Sequence, residues 1–205
     1  MSESELESRG SIGRIEAFSD GVLAIIVTIM VLELHAPAEE GWQPLLRLWP
    51  VFLAYVLSFT YVAIYWVNHH RLLAHARRVT NRLVWNNMGL LFTLSLVPFA
   101  TAYLGEHHFS REATMLYLAV MLTPAVCYLP LQADVRRHGH RTPVAEDYYR
   151  TSTRKGTAST LLYLAGFGLA LWHPWAGIAC AGAVAVLWFL PAGPVDRLFD
   201  ACGAR

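Results

Sequence analysis

Charge is scarce in this chain. Of 205 residues, 15% are Asp, Glu, Lys or Arg and 55% are hydrophobic, where an average soluble domain carries roughly 25% charge. The scarcity is also uneven, because nothing ionised occurs in Gly21–Leu32, Leu48–Asn68, Leu83–Gly105, Ala113–Ala133 or Gly156–Ala192. A soluble enzyme of this size does not segregate charge so cleanly. Cysteine is rare too: Cys127 and Cys180 lie inside apolar runs and Cys202 in the C-terminal tail, so no structural disulfide is expected. There is no nucleophile elbow, phosphate loop or Cys-x-x-Cys to support an enzyme. No internal repeat supports the inverted halves of many secondary transporters.

The apolar runs themselves set the fold class. At about 20 residues per transmembrane helix, they fit six spans near Ala17–Leu34, Leu48–Asn68, Leu83–Leu104, Ala113–Ala133, Ala158–His173 and Pro174–Leu190. The expectation is an all-α, multi-pass integral membrane protein. A polar tail (1–13, read as frayed) precedes one six-helix domain (14–191), and a C-terminal tail (192–205) follows it. The longest internal loop is expected at Arg136–Arg154. Pro174 and two Trp make a tight hairpin of the last two spans, where Gly166, Gly168, Gly177 and Gly182 permit close helix packing.

Orientation follows from the basic residues. Arg9 and Arg14 precede span one, Arg71, Arg77, Arg78 and Arg82 follow span two, and Arg136, Arg137, Arg141, Arg150, Arg154 and Lys155 lie between spans four and five. Arg197 and Arg205 follow span six, which leaves Arg47 and Arg111 for the other side. The positive-inside rule puts both termini and the basic loops in the cytoplasm, with a cell (plasma) membrane location. The basic loops are read as topology signals facing lipid headgroups, with no nucleic acid as a partner. Gly21–Leu34 followed by Ala36-Pro37-Ala38 has the outline of a signal peptide, but Glu3, Glu5, Glu7, Glu16 and Asp20 oppose it, because such a peptide wants a positive start.

Span one is chemically unlike the others. Its uncharged run Gly21–Leu32 gives about 18 Å of helix, bracketed by Asp20 and Glu33, and is too short to face lipid alone. Acidic groups near hydrocarbon turn toward protein or water, so this helix belongs inside an assembly. At 100° per residue, Phe18, Gly21, Ile25, Thr28 and Leu32 form one narrow stripe with Ile29 at its margin. The stripe is either a packing seam or a pore lining. Its single Thr and the polar cluster Arg14, Ser19 and Asp20 favour the second.

These residues carry a resemblance. Arg14-Ile15-Glu16-Ala17-Phe18-Ser19-Asp20 has the form R-x-x-x-F-S-D and, with the apolar run to Leu34, resembles the first helix of the transmembrane protein 175 family of potassium channels. Tyr65-Trp66-Val67-Asn68-His69-His70-Arg71, then Leu96-Val97-Pro98-Phe99-Ala100-Thr101 with Gly105-Glu106, resemble its second and third helices. One set of six spans resembles the bacterial form. The resemblance implies a homotetramer whose first helices line a central pore, with no carbonyl selectivity filter. It implies apolar constrictions at Ile25 and Leu32, with Thr28 between them favouring potassium. The implied activity is passive conduction of potassium and other monovalent cations.

The wheel places Ser19 and Asp20 off the stripe, so Asp20 is read as a buried acceptor for Arg14 and for polar groups such as Trp66, His69, His70 or Asn86. Glu33 is read either as an acidic ring at the outer mouth or as a solvated helix end. Two other classes were weighed. A metal or haem enzyme would draw on His69-His70, His107-His108 and His138-His140, but the second pair lies across about 30 Å of hydrocarbon from the others. No metal and no cofactor are therefore expected beyond permeant potassium ions. A proton-coupled secondary transporter would want a charged or broken site at mid-membrane, and the middle of span one is apolar.

Overall fold

Helix formation begins earlier than the apolar pattern requires. The computed structural model describes residues 3–139 and 142–190, which are helical with short connections and contain no strand. His140, Arg141 and the C-terminal segment with Arg197, Cys202 and Arg205 lie outside the described residues. α1 runs from Glu3–Leu32, so the segment expected as a frayed tail is helical from Glu3. Once the following turns are formed, each added residue extends the helix at little cost, because nucleation has already occurred.

A six-residue α2 (Trp42–Arg47), missed in the sequence, leads into α3 (Trp49–Leu73). The third apolar run is two helices, α4 (Asn81–Leu94) and α5 (Val97–Glu106). The break has a local cause: Pro98 has no N–H, and its ring clashes with the carbonyl four residues back, at Leu94, where α4 ends. α6 (Arg111–His138) carries Pro124 and Pro130 without breaking. At the first of these, Thr123 Oγ1 donates to the Val120 carbonyl at 2.8 Å, filling the acceptor that Pro124 leaves open.

α7 (Pro143–Ala170) corrects the expected long loop, since α6 ends at His138 and the next helix already starts at Pro143. Thr142 caps it, its Oγ1 accepting from the Ala145 N–H at 3.1 Å, with Pro143 at the helix start and Glu146 in the first turn. α8 (Pro174–Phe189) follows after the expected tight turn. Among the described residues, four segments are long and apolar enough to cross a membrane: Gly10–Leu32, Trp49–Leu73, Asn81–Glu106 across its break, and Arg111–His138. α8 is apolar but has 16 residues.

The core lies between α3, α4, α5 and α6, where Leu90, Leu94, Val97, Leu104, Leu118 and Met121 are sealed from solvent. α1 lies at the edge and packs on α3, α4 and α5 through Leu23, Ile26 and Met30. The α7–α8 hairpin packs on α6. A second polar layer ties three helices: Thr101 Oγ1 lies 2.7 Å from Ser58 Oγ, which is 3.1 Å from the Tyr117 hydroxyl.

Of the four hairpin glycines, two are required. A Cβ on Gly177 would sit 3.0 Å from Ala170 Cβ and 2.9 Å from Leu118 Cδ1, and one on Gly166 would sit 2.9 Å from Cys180 Cβ. Gly168 and Gly182 face open space, which corrects the expectation that they serve close packing. Gly177→Ala should therefore cost roughly 1–3 kcal/mol through overpacking, read as a lower Tm in detergent. Gly182→Ala should leave Tm level or raise it, since Ala is the better helix former.

Candidate pore helix and its polar anchor

The two faces of α1 differ sharply. Ser19, Leu23, Ile26 and Met30 fall within about 60° of arc and are buried against α3, α4 and α5. The opposite stripe is bare: Phe18 is 54% exposed, Ile25 59% and Leu32 74%, and Gly21 and Thr28 are exposed with them. Ile29 at the margin is 39% exposed. This apolar face is turned away from its own chain, as are faces of other helices that carry Val56, Phe92 and Leu161.

What holds that rotation is a polar anchor near the N-terminal end of the stripe. Ser19 is fully buried and its Oγ donates to the Ile15 carbonyl at 2.8 Å. Asn87 Nδ2 on α4 donates to Ser19 Oγ at 2.9 Å, and Asn87 Oδ1 lies 2.7 Å from His69 Nε2 on α3. The amide orientation makes His69 the donor there, so its proton is on Nε2. α1, α3 and α4 are thus joined by one chain of bonds.

A second set of contacts runs alongside. Trp66 Nε1 donates to Asp20 Oδ1 at 2.9 Å, His70 Nδ1 meets Glu16 Oε1 at 2.5 Å, and the Trp66 and His70 rings stack at 6.1 Å. Glu16 and Asp20 are four residues apart on α1, as Trp66 and His70 are on α3, so two matched rungs form between facing helices.

The structure sorts the expected site residues. Ser19, Asp20, Trp66, His69 and His70 come together, although Asp20 bonds to Trp66 alone while His69 and His70 take other partners. Arg14 is exposed and makes no ion pair with Asp20 among the described residues. Six positions turn a helix by about 240°, so the two cannot meet on one strand of helix. Asn86 is also outside the network; its neighbour Asn87 holds the place, and Asn86 Nδ2 is buried without a partner. Glu16 and Asn87 were missed. The Glu16–Asp20 spacing against Trp66–His70 was a signal that could have found the first. Glu33 is exposed at the other end of α1.

A family model described as the endosomal/lysosomal potassium channel TMEM175 matches residues 14–98, the segment that carries the stripe and the anchor. A potassium channel of Chryseobacterium sp. (strain P1-3) is 39% identical over 186 residues, covering 90% of this chain and 96% of the relative. The chain belongs to the TMEM175 family. The crystal structure of a lysosomal potassium-selective channel TMEM175 homolog from Chamaesiphon minutus superposes with a TM-score of 0.77 at 31% identity, covering 90% of this chain and 99% of that one. The human endosomal/lysosomal proton channel TMEM175 is 39% identical over 114 residues, which is 48% of this chain and 22% of the human protein. These relatives are ion channels and not enzymes.

Within this TMEM175 chain, Asn87→Leu should destabilise the fold by about 1–3 kcal/mol, because it strands a buried ring N–H and removes the donor to Ser19. Asn86→Leu should cost much less, since its buried amide already lacks a partner. Thermal unfolding of both purified variants compares the two.

Proposed function

We propose that this chain is a potassium-permeable cation channel, a homotetramer in which the exposed stripe of α1 lines a central pore. The observation that carries the reading is the bare apolar face holding Ile25, Thr28 and Leu32, set opposite the packed face of the same helix. Four copies of α1 around an axis would cover that face and supply the protein surroundings that its short uncharged run needs. The family relatives named potassium channels support the ion.

In this reading the chain crosses the cell membrane six times, α7 and α8 supplying the last two spans, with both termini in the cytoplasm. Tail, six-helix domain and C-terminal tail meet near residues 13 and 191. Rings of Ile25, and further out Leu32, constrict the pore. A hydrated cation passes an apolar ring only by losing water without compensation, so these rings set the barrier. Thr28 differs from its neighbours. Its Oγ1 donates to the Ile25 carbonyl at 2.9 Å, and a hydroxyl whose proton is spent on the backbone presents oxygen lone pairs alone, which suit a cation. Ile29 borders the lining, and Glu33 concentrates cations at the outer mouth. Arg14, on the exposed side of α1, continues the stripe one turn before Phe18 at its cytoplasmic end.

Neither cofactor nor bound metal has a part in passive conduction. The rival reading, a proton-coupled secondary transporter, finds no titratable side chain on α1 between Asp20 and Glu33.

Cross-linking in native membranes should give a ladder ending at four subunits; a clean monomer or dimer would defeat the central pore. In liposome flux assays Ile25→Asn should raise cation leak, tenfold for each ~1.4 kcal/mol removed from the barrier. Leu161→Ala on the exposed side of α7 should not. Thr28→Ala should lower the ratio of potassium to sodium flux. Equal leak in the Ile25 and Leu161 variants would make the stripe a packing seam.

A further inference from the structure

A second site lies away from α1. Between α3, α7 and the end of α8 is a chamber of about 460 Å³, lined among others by Asn68, Arg71, Ser152, Lys155 and Trp188. It shares Asn68, Ile64 and Trp188 with a narrower slot of about 40 Å³ that runs between α3, α6, α7 and α8 past Tyr61, Tyr65 and Tyr163. The slot is apolar, and the chamber, also largely apolar, adds Arg71 and Lys155 with polar side chains such as Asn68 and Ser152.

The chamber's charge is one-sided. Arg71 is exposed and makes no ion pair among the described residues. Lys155, the chain's single lysine, is buried; its Nζ donates to the Leu190 carbonyl at 2.7 Å and lies 5.6 Å from the centre of the Trp188 ring. Among the described residues the one carboxylate on the wall, Asp147, is held by Arg150 at 3.1 Å. An organic cation would meet two positive groups here, and an anion would meet none of its own sign unpaired.

The depth of the chamber indicates what kind of anion. α8 has 16 residues, about 24 Å of helix, which falls short of a hydrocarbon core of about 30 Å. On the facing helix, Arg71 is the first ionised residue after the uncharged run 48–68, which sets the chamber near the boundary between acyl chains and headgroups. We infer that this chamber binds the phosphate headgroup of an anionic glycerophospholipid of the cytoplasmic leaflet. Basic pockets between membrane helices on that side suit such headgroups, and Asn68 and Ser152 add polar partners.

Thermal unfolding of the full-length protein in detergent tests this with dioleoylphosphatidylglycerol, dioleoylphosphatidylcholine and inorganic phosphate as separate additions. Phosphatidylglycerol should raise Tm well above the level reached with phosphatidylcholine, and Arg71→Gln should weaken its apparent affinity about fivefold. Arg78→Gln, exposed and outside the chamber, should leave it unchanged. Native mass spectrometry should show phosphatidylglycerol retained by the wild type and depleted in Arg71→Gln. Equal retention and equal shifts in the Arg71 variant overturn the site. An equal shift with inorganic phosphate alone overturns the lipid as its occupant. Neither readout needs ion conduction, so failure here leaves the channel reading intact, and failure of the flux assays leaves the lipid site intact.

Discussion

The rotation of α1 about its own axis is the constraint on which the functional surface depends. A helix with apolar residues on nearly every side has no hydrophobic reason to prefer one face, since Ile25 and Ile26 are equally content against protein. Ser19 breaks that tie. Its hydroxyl is fully buried, and a buried hydroxyl without partners costs a few kcal/mol, so α1 settles where Asn87 can reach it. Turning the helix by one residue position would strand Ser19, Asn87 and His69 together. The rungs from Trp66 to Asp20 and from His70 to Glu16 resist the same rotation from the α3 side. With the polar face so held, the stripe from Phe18 to Leu32 has nowhere to go but outward.

The helices behind α1 divide into a thick part and a thin one. α3 to α6 enclose a core of large sealed side chains and a polar layer through Thr101, Ser58 and Tyr117. The α7–α8 hairpin is built from small residues at close range, with Gly166 and Gly177 allowing backbones to approach. Backbone contact of that kind replaces the hydrophobic drive that lipid does not supply between helices. α8 is shorter than its hairpin partner α7, and the chamber near Lys155 and Leu190 lies where α8 ends.

Much of this architecture was legible in the order of residues, and the failures have physical causes. The uncharged runs marked the apolar helices, since charge in hydrocarbon is too costly to be placed at random. The density of charge between Arg136 and Arg154 suggested a loop, whereas Thr142, Pro143 and Glu146 start a helix there; on a long helix those charges simply project beyond the apolar stretch. The wheel separated the faces of α1 correctly. It did not distinguish Asn86 from Asn87, because that choice depends on the rotation of α4, which its neighbours set. The same wheel sets Arg14 about 240° from Asp20, so their pairing was excluded by the sequence itself; reading the motif along the chain and not around the helix hid this.

The sequence by itself determined that this is a helical membrane protein, which residues of α1 share a stripe, and that Ser19 and Asp20 lie off it. Those follow from periodicity and from the cost of charge in an apolar medium, both local properties of the chain. Tertiary structure alone decided that the stripe is bare while the opposite face is packed, that Asn87 and Glu16 complete the anchor, and that Arg71 and Lys155 share one chamber. Each of these joins residues from different helices. Their meeting depends on the rotation and depth of whole helices, which the packing of every element sets together and which no short stretch of sequence encodes.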